Sequence, residues 1–266
     1  MDVQKLYGLT GRRAIVCGST QGIGKACAMQ FARLGAEVTL VARDEGALER
    51  VRKELPTGEG QQHRYLCADF DNPEVVKEKV TRFLADGGPA HILLNNSGGP
   101  PHGPIVEAKP DDFAKAFSRH VLCNQILVQA VLPGMKAEQY GRIINIISTS
   151  VKEPIPGLGV SNTTRWAVAA WAKTTAGELA KFGITVNNLL PGYTDTARLA
   201  ELIKSKAAAG ESTEEAVKTE IVGRIPMGRL ASAEEIAAAA GFLASPAASY
   251  VTGINLPVDG GRTGSL

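Results

Sequence analysis

Cysteine is scarce in this chain. Of its 266 residues only Cys17, Cys27, Cys67 and Cys123 are cysteine, far apart, with no C-x-x-C and no histidine at metal-ligand spacing. That excludes a disulfide scaffold and a zinc module, and the expectation is four reduced, buried thiols in a cytoplasmic protein. No cluster of His, Cys, Asp and Glu supports any other metal site. An excess of one charge is also lacking: 29 Lys and Arg stand against 27 Asp and Glu, a net +2. The densest charge run, Arg50–Val51–Arg52–Lys53–Glu54, is mixed in sign and reads as a solvated helix face, so no nucleic-acid partner is expected. No apolar run approaches the ~20 residues that span a bilayer, and no membrane association is expected. The opening Met1–Asp2–Val3–Gln4–Lys5 lacks the basic-then-apolar profile of a secretion signal.

What is present suits a folded enzyme-sized domain. With 44% apolar and 21% charged residues the chain can bury a sizeable core, which excludes disorder. Short apolar runs at 14–17, 37–42, 63–68, 91–95, 142–147, 185–190 and 253–256 read as seven strands covered on both faces. Helical patterns lie between them at 23–34, 45–55, 73–85, 110–136, 161–182 and 233–243. Asn72–Pro73 marks a helix start, and Gly35 and Gly183 mark helix ends. Strand–helix alternation with right-handed crossovers predicts one α/β domain over 1–266, a doubly wound sheet of seven parallel strands with helices on both faces. Residues 197–224 interrupt the rhythm with two short Ala/Glu/Lys-rich helices beyond a strand's C-terminal end, where such sheets carry a substrate lid.

The first strand runs into Gly18–Ser19–Thr20–Gln21–Gly22–Ile23–Gly24, spaced G-x-x-x-G-x-G. Glycines there permit a tight turn and let a phosphate approach the backbone at a helix N-terminus. Further segments follow the later strands: Asp69–Phe70, Asn95–Asn96–Ser97–Gly98, Pro191–Gly192–Tyr193–Thr194–Asp195–Thr196 and, near the end, Val258–Asp259–Gly260–Gly261. Together these resemble the short-chain dehydrogenase/reductase family over nearly all of residues 8–261, and among its members the 3-oxoacyl-carrier-protein reductases. The resemblance implies a Rossmann-type fold and a bound dinucleotide. It places the adenine on Asp69 beside Phe70, the adenosine ribose on the turn Asn96–Ser97–Gly98, and the nicotinamide end by Pro191, Gly192 and Thr196. The second strand ends Val41–Ala42–Arg43: no carboxylate stands at Ala42 to repel a 2′-phosphate, and the Arg43 guanidinium suits one. NADP(H) is therefore expected in preference to NAD(H), although Gln21 replaces the family's common basic residue in the glycine loop.

The catalytic half departs from the family pattern. Members assist hydride transfer with a Ser, a Tyr, a Lys and a helix Asn. Ser148 fits the serine, but the tyrosine position holds Ser161, the lysine position holds Arg165, and the asparagine aligns with His120. A serine hydroxyl is far less acidic than a phenol, and an arginine keeps the charge and the ribose contact without releasing a proton. Three readings follow: an NADP(H) oxidoreductase of a carbonyl or hydroxyl substrate, such as an acyl thioester, using Ser148, Ser161, Arg165 and a replacement acid; a dinucleotide-binding sensor or partner subunit without turnover; or a pocket that hydrates or isomerises an acyl substrate. Replacement acids are Tyr193, His120, His102, Lys152 or water. His63 and His91 open strands away from the cleft, and no role is assigned to them.

Two helices carry more apolar face than one sheet contact needs: Val121, Leu122, Ile126, Leu127 and Val131 on one, Trp166, Val168, Ala169 and Trp171 on the other. In the family these helices form the dimer bundle and the last strand completes a tetramer. A homotetramer is expected, with a homodimer next.

Overall fold

In β1 (Arg13–Cys17) successive side chains point to opposite faces of the sheet: Ala14 and Val16 join one apolar cluster, Ile15 and Cys17 the other. The same alternation runs through the neighbouring strands and divides the core into two layers. This computed structural model describes residues 2–58, 60–210 and 212–265. After the short α1 (Val3–Tyr7) and β1 come α2 (Gly22–Arg33), β2 (Glu37–Ala42), α3 (Glu45–Glu54), β3 (Arg64–Cys67), α4 (Pro73–Gly87) and β4 (Ile92–Asn95). The second half holds α5 (Pro110–Phe117), α6 (Cys123–Ala137), β5 (Gly141–Ile146), α7 (Gly159–Leu179), β6 (Ile184–Pro191), α8 (Ala197–Ala209), α9 (Glu214–Gly223), α10 (Ala233–Ala244) and β7 (Asn255–Val258).

The sheet is wholly parallel, in the order β3-β2-β1-β4-β5-β6-β7. This is the expected doubly wound, Rossmann-type α/β fold. One layer packs α2, α3 and α10 on the sheet through Phe31, Leu48 and Ile236; the other packs α4, α6 and α7 through Val80, Leu127 and Ala172. The order reverses between β1 and β4, which opens a crevice beyond the strand ends there. No helix of the described residues is long and apolar enough to cross a membrane.

Several expectations need correction. The helix at 110–136 is unbroken but not α throughout: a π turn at Ser118–Leu122 joins α5 to α6 and turns His120 and Val121 inward. The last strand starts at Asn255 rather than 253, because Gly253 adopts φ +71° and donates to Val186 O at 2.8 Å before pairing begins. Pro257 fits in β7 because, among the described residues, β7 pairs with β6 alone at the edge of the sheet. The excess apolar face is smaller than expected. Leu127, Val131, Val168 and Ala169 are spent on the core, while Phe117, Leu122 and Trp166 stay 44%, 46% and 50% exposed. Cys67 is only partly buried, unlike the other three thiols.

One feature had no sequence signal at all. Across β4, β5, β6 and β7, Asn95, Asn145, Asn188 and Asn255 stand side by side in register. Each amide Nδ2 donates to the next residue's Oδ1, at 2.8, 2.9 and 2.8 Å. The ladder lies on the α6/α7 face and ties together the strands whose ends carry the site.

Candidate functional site

The crevice at the strand ends is a cavity of about 650 Å³, walled by the loops that follow β1, β2, β3, β4, β5 and β6. The β1–α2 loop is shaped by close approach. A Cβ on Gly18 would lie 2.6 Å from Asn96 Nδ2, and one on Gly24 would lie 2.1 Å from Gly18 O, so neither position accepts a side chain. Gly18 and Gly22 also take φ +60° and +53°. Asn96 holds the turn by donating to the Cys17 and Gly18 carbonyls at 3.3 Å each. The α2 N-cap, Gln21, makes no side-chain cap, so the helix presents uncapped amides and a positive dipole end to the cavity.

Most of the residues named from sequence meet here. Gly18, Thr20, Gln21, Gly22 and Ile23 line one end, with Arg43, Asp69 and Phe70 beside them. Asn96, Ser97 and Gly98 form the middle, and Pro191, Gly192 and Thr196 face them. Ser19 and Gly24 are not on the wall: Ser19 is fully buried, its hydroxyl donating to Val41 O at 3.4 Å, and Gly24 packs the helix against the loop.

Ser148, Ser161 and Arg165 converge on the other end. Ser161 and Arg165 are one turn apart on α7, and Ser148 follows β5. Ser148 Oγ accepts the Ser150 amide at 3.0 Å, which leaves its proton free to donate into the cavity. Arg165 is buried and donates through Nη1 to Ile146 O at 3.0 Å. Burial, then the neighbouring Arg198 charge, pushes its pKa down to about 10, so it stays a cation at neutral pH.

Of the replacement acids, Tyr193 and His102 line the cavity, whereas His120 and Lys152 do not. His120 sits behind Ser97, its Nδ1 2.7 Å from Ser97 Oγ. Burial, with Arg165 and Arg119 nearby, holds its pKa well below 6.5, so the ring is neutral. Burial also lowers His102, with Arg198 and Lys206 adding to it. His63 and His91, left without a role, accept backbone amides at the opposite strand ends: Val38 N to His63 Nδ1 at 3.1 Å and Arg13 N to His91 Nδ1 at 3.0 Å.

Residues 18–263 match the family model described as enoyl-(acyl carrier protein) reductase. A 3-oxoacyl-[acyl-carrier-protein] reductase of Pseudomonas aeruginosa is 34% identical over 258 residues, covering 95% of this chain and 98% of that one. The chain belongs to the short-chain dehydrogenase/reductase family. Solved structures of family members superpose on it throughout. The L-sorbose reductase of Gluconobacter frateurii complexed with NADPH and L-sorbose gives a TM-score of 0.91 at 31% identity, over 98% of this chain and 99% of that one. A gluconate 5-dehydrogenase of Burkholderia cenocepacia in complex with NADP and tartrate gives 0.87 at 30% identity, over 100% of both chains.

Three arginines of this short-chain dehydrogenase/reductase were missed from sequence. Arg119 clamps Asp71 at the Arg43 end, with Nη2 at 2.6 Å from Oδ2. Arg198 reaches from α8 to donate to Pro100 O at 2.7 Å. Arg262 donates to Thr149 Oγ1 at 3.1 Å and lies 5.0 Å above the Tyr193 ring. No motif marks Arg262, which is 113 residues from Thr149 in the chain and meets it only through the fold.

Proposed function

We propose that the protein is an NADP(H)-dependent oxidoreductase that interconverts a carbonyl and a hydroxyl with an altered Ser–Ser–Arg site. The observation that carries this is the junction, in one cavity, of an uncapped glycine-cradled helix N-terminus and Arg43 at one end with Ser148, Ser161 and Arg165 at the other. The cradle suits a pyrophosphate because Gly18 and Gly22 take positive φ, which turns the loop tightly against Asn96 and leaves the α2 N-terminal amides facing the cavity. Asp69, exposed on the wall, would accept the adenine amino group, and Ala42 and Arg43 would favour a 2′-phosphate. When bound, the dinucleotide would supply or accept a hydride.

The chain's own residues would handle charge and protons. Ser148 donates a hydrogen bond to the substrate oxygen, and the Arg165 cation stabilises negative charge developing there. Ser161 is too weak an acid to replace a phenol, so the proton reaches that oxygen from water or from Tyr193, the one tyrosine on the wall among the described residues. The α8–α9 segment, packed on its own cluster of Leu199, Ile203, Val217 and Ile221, acts as the substrate lid in this reading. Glu211, between those helices, lies outside the described residues. Exposed Phe117, Leu122 and Trp166 support a copy-to-copy interface on these helices; the homotetramer needs a second interface at the last strand, and a homodimer is the alternative.

The test is cofactor titration by fluorescence. NADPH should bind more tightly than NADH, and Arg43→Asp should reverse the order. A wild type that prefers NADH, or a variant with unchanged preference, removes Arg43 from the site. No binding of either cofactor at millimolar concentration sinks the reading.

A further inference from the structure

The charged residues on the cavity wall separate into two groups. Near the β2 and β3 ends lie Arg43, Asp69 and the ion pair Asp71–Arg119, where positive and negative charge balance. Near Ser148 lie Arg165, Arg198, Arg262 and a single acid, Glu201. Glu201 compensates little: its side chain is 71% exposed and 3.8 Å from Arg198 Nη1. Asp259 sits close to Arg262 but is off the wall, its oxygens taken by the Gly261 and Thr263 amides at 3.0 and 2.9 Å. Even with Asp259 set against Arg262 and Glu201 against Arg198, this end keeps a net positive charge, carried by the buried Arg165 and the half-exposed Arg198.

His102 points to the same answer from a separate observation. Both its ring nitrogens are buried from solvent, and neither has a partner among the described residues. It lines the cavity beside Arg198. A neutral imidazole in that position has one N–H to donate and one nitrogen to accept, and both are unused. Unsatisfied buried polar groups of this kind are costly unless a ligand completes them.

We infer that this end of the cavity is a carboxylate site, in which Arg198, Arg262 and His102 hold the acid group of a small hydroxy- or oxo-carboxylate whose reacting carbon lies at Ser148. The inference rests on the oxidoreductase reading and names its substrate class. The planar guanidinium fork matches a carboxylate. Arg262 is anchored on Thr149, the residue after Ser148, so an acid group it holds sits within a few atoms of the reacting carbon. The apolar Tyr193 ring under Arg262 limits its hydration and strengthens the contact.

Calorimetric titration of gluconate, tartrate and pyruvate, each against its uncharged amide, into the protein with and without saturating NADPH tests this. At least one acid should bind about tenfold or more tightly than its amide. Arg262→Gln should abolish most of that preference while leaving the NADPH affinity unchanged, and Arg198→Gln should act in the same direction. Inorganic phosphate is the competing probe. Equal binding of acid and amide, no binding of any acid at millimolar concentration, phosphate outranking every acid, or an undiminished preference in both variants would each overturn the site. A failure of NADPH to bind refutes the dinucleotide reading instead, and the titrations without cofactor still decide the carboxylate site.

Discussion

Asn145 is the strongest single test of how the sheet is held beneath the cavity. Its amide donates to Asn188 Oδ1 at 2.9 Å and accepts from Asn95 Nδ2 at 2.8 Å. Asn145→Leu keeps nearly the same volume, so water stays out, but both hydrogen bonds vanish. Asn95 and Asn188, only 2% and 3% exposed, are then left with a stranded donor and a stranded acceptor. Each stranded group costs about 1–3 kcal/mol, and the leucine returns about 1–2 kcal/mol of apolar burial. The net loss centres on about 2–3 kcal/mol, which for a chain of this length lowers Tm by about 4–12 °C. Urea unfolding followed by tryptophan fluorescence measures it, at one fixed protein concentration because any assembly adds to apparent stability. Asn95 Oδ1 already lacks a partner, so adding Asn95→Leu removes a stranded group rather than creating one. The double variant should therefore be more stable than the sum of the two single losses predicts. A single-variant loss below about 0.5 kcal/mol, or strict additivity, would show that the ladder is not a coupled network.

Ser161→Tyr with Arg165→Lys should rebuild a phenol–ammonium proton relay, since both positions face the cavity one turn apart. General acid–base assistance is worth about 10²–10⁴-fold, so ketone reduction should exceed either single variant by at least about tenfold; a folded, NADPH-binding double variant with no gain refutes it. Stability should fall as pH drops through about 6.5. His91, His102 and His120 all have folded pKa values below that unfolded value, so the unfolded chain takes up protons that the folded chain refuses. Glu49 and Glu235, held at about 2 by Arg52 and Arg229, do not titrate in this window. A urea midpoint unchanged between about pH 8 and pH 5.5 would contradict this. One thiol, Cys67, should react with an aromatic disulfide in the native state, because Cys27 and Cys123 are pushed up to about 12 by burial and Cys17 is enclosed. Two or more fast-reacting thiols would contradict the packing.

Local features were legible wherever a short segment carries its own constraint. The alternation of apolar strands and capped helices specified the doubly wound sheet, because each strand has to be buried on both faces and each crossover has one hand. The glycines at 18, 22 and 24 announced the cradle, and the helical period put Ser161 and Arg165 on one face of α7, whereas their meeting with Ser148 was implied by the family resemblance rather than by local geometry. Partition between wall and interior was not legible. Ser19 and His120 carry polar groups like their neighbours, yet the loop turns one behind the wall and the π turn carries the other behind Ser97. Four asparagines from four strands form one ladder only after the strands pair in register. In the same way Arg198 and Arg262, on α8 and the C-terminal tail, look like ordinary solvated charges in the sequence. They become a positive wall around Ser148 only because the folded chain brings distant segments together, and electrostatic energy depends on distance in space rather than along the chain.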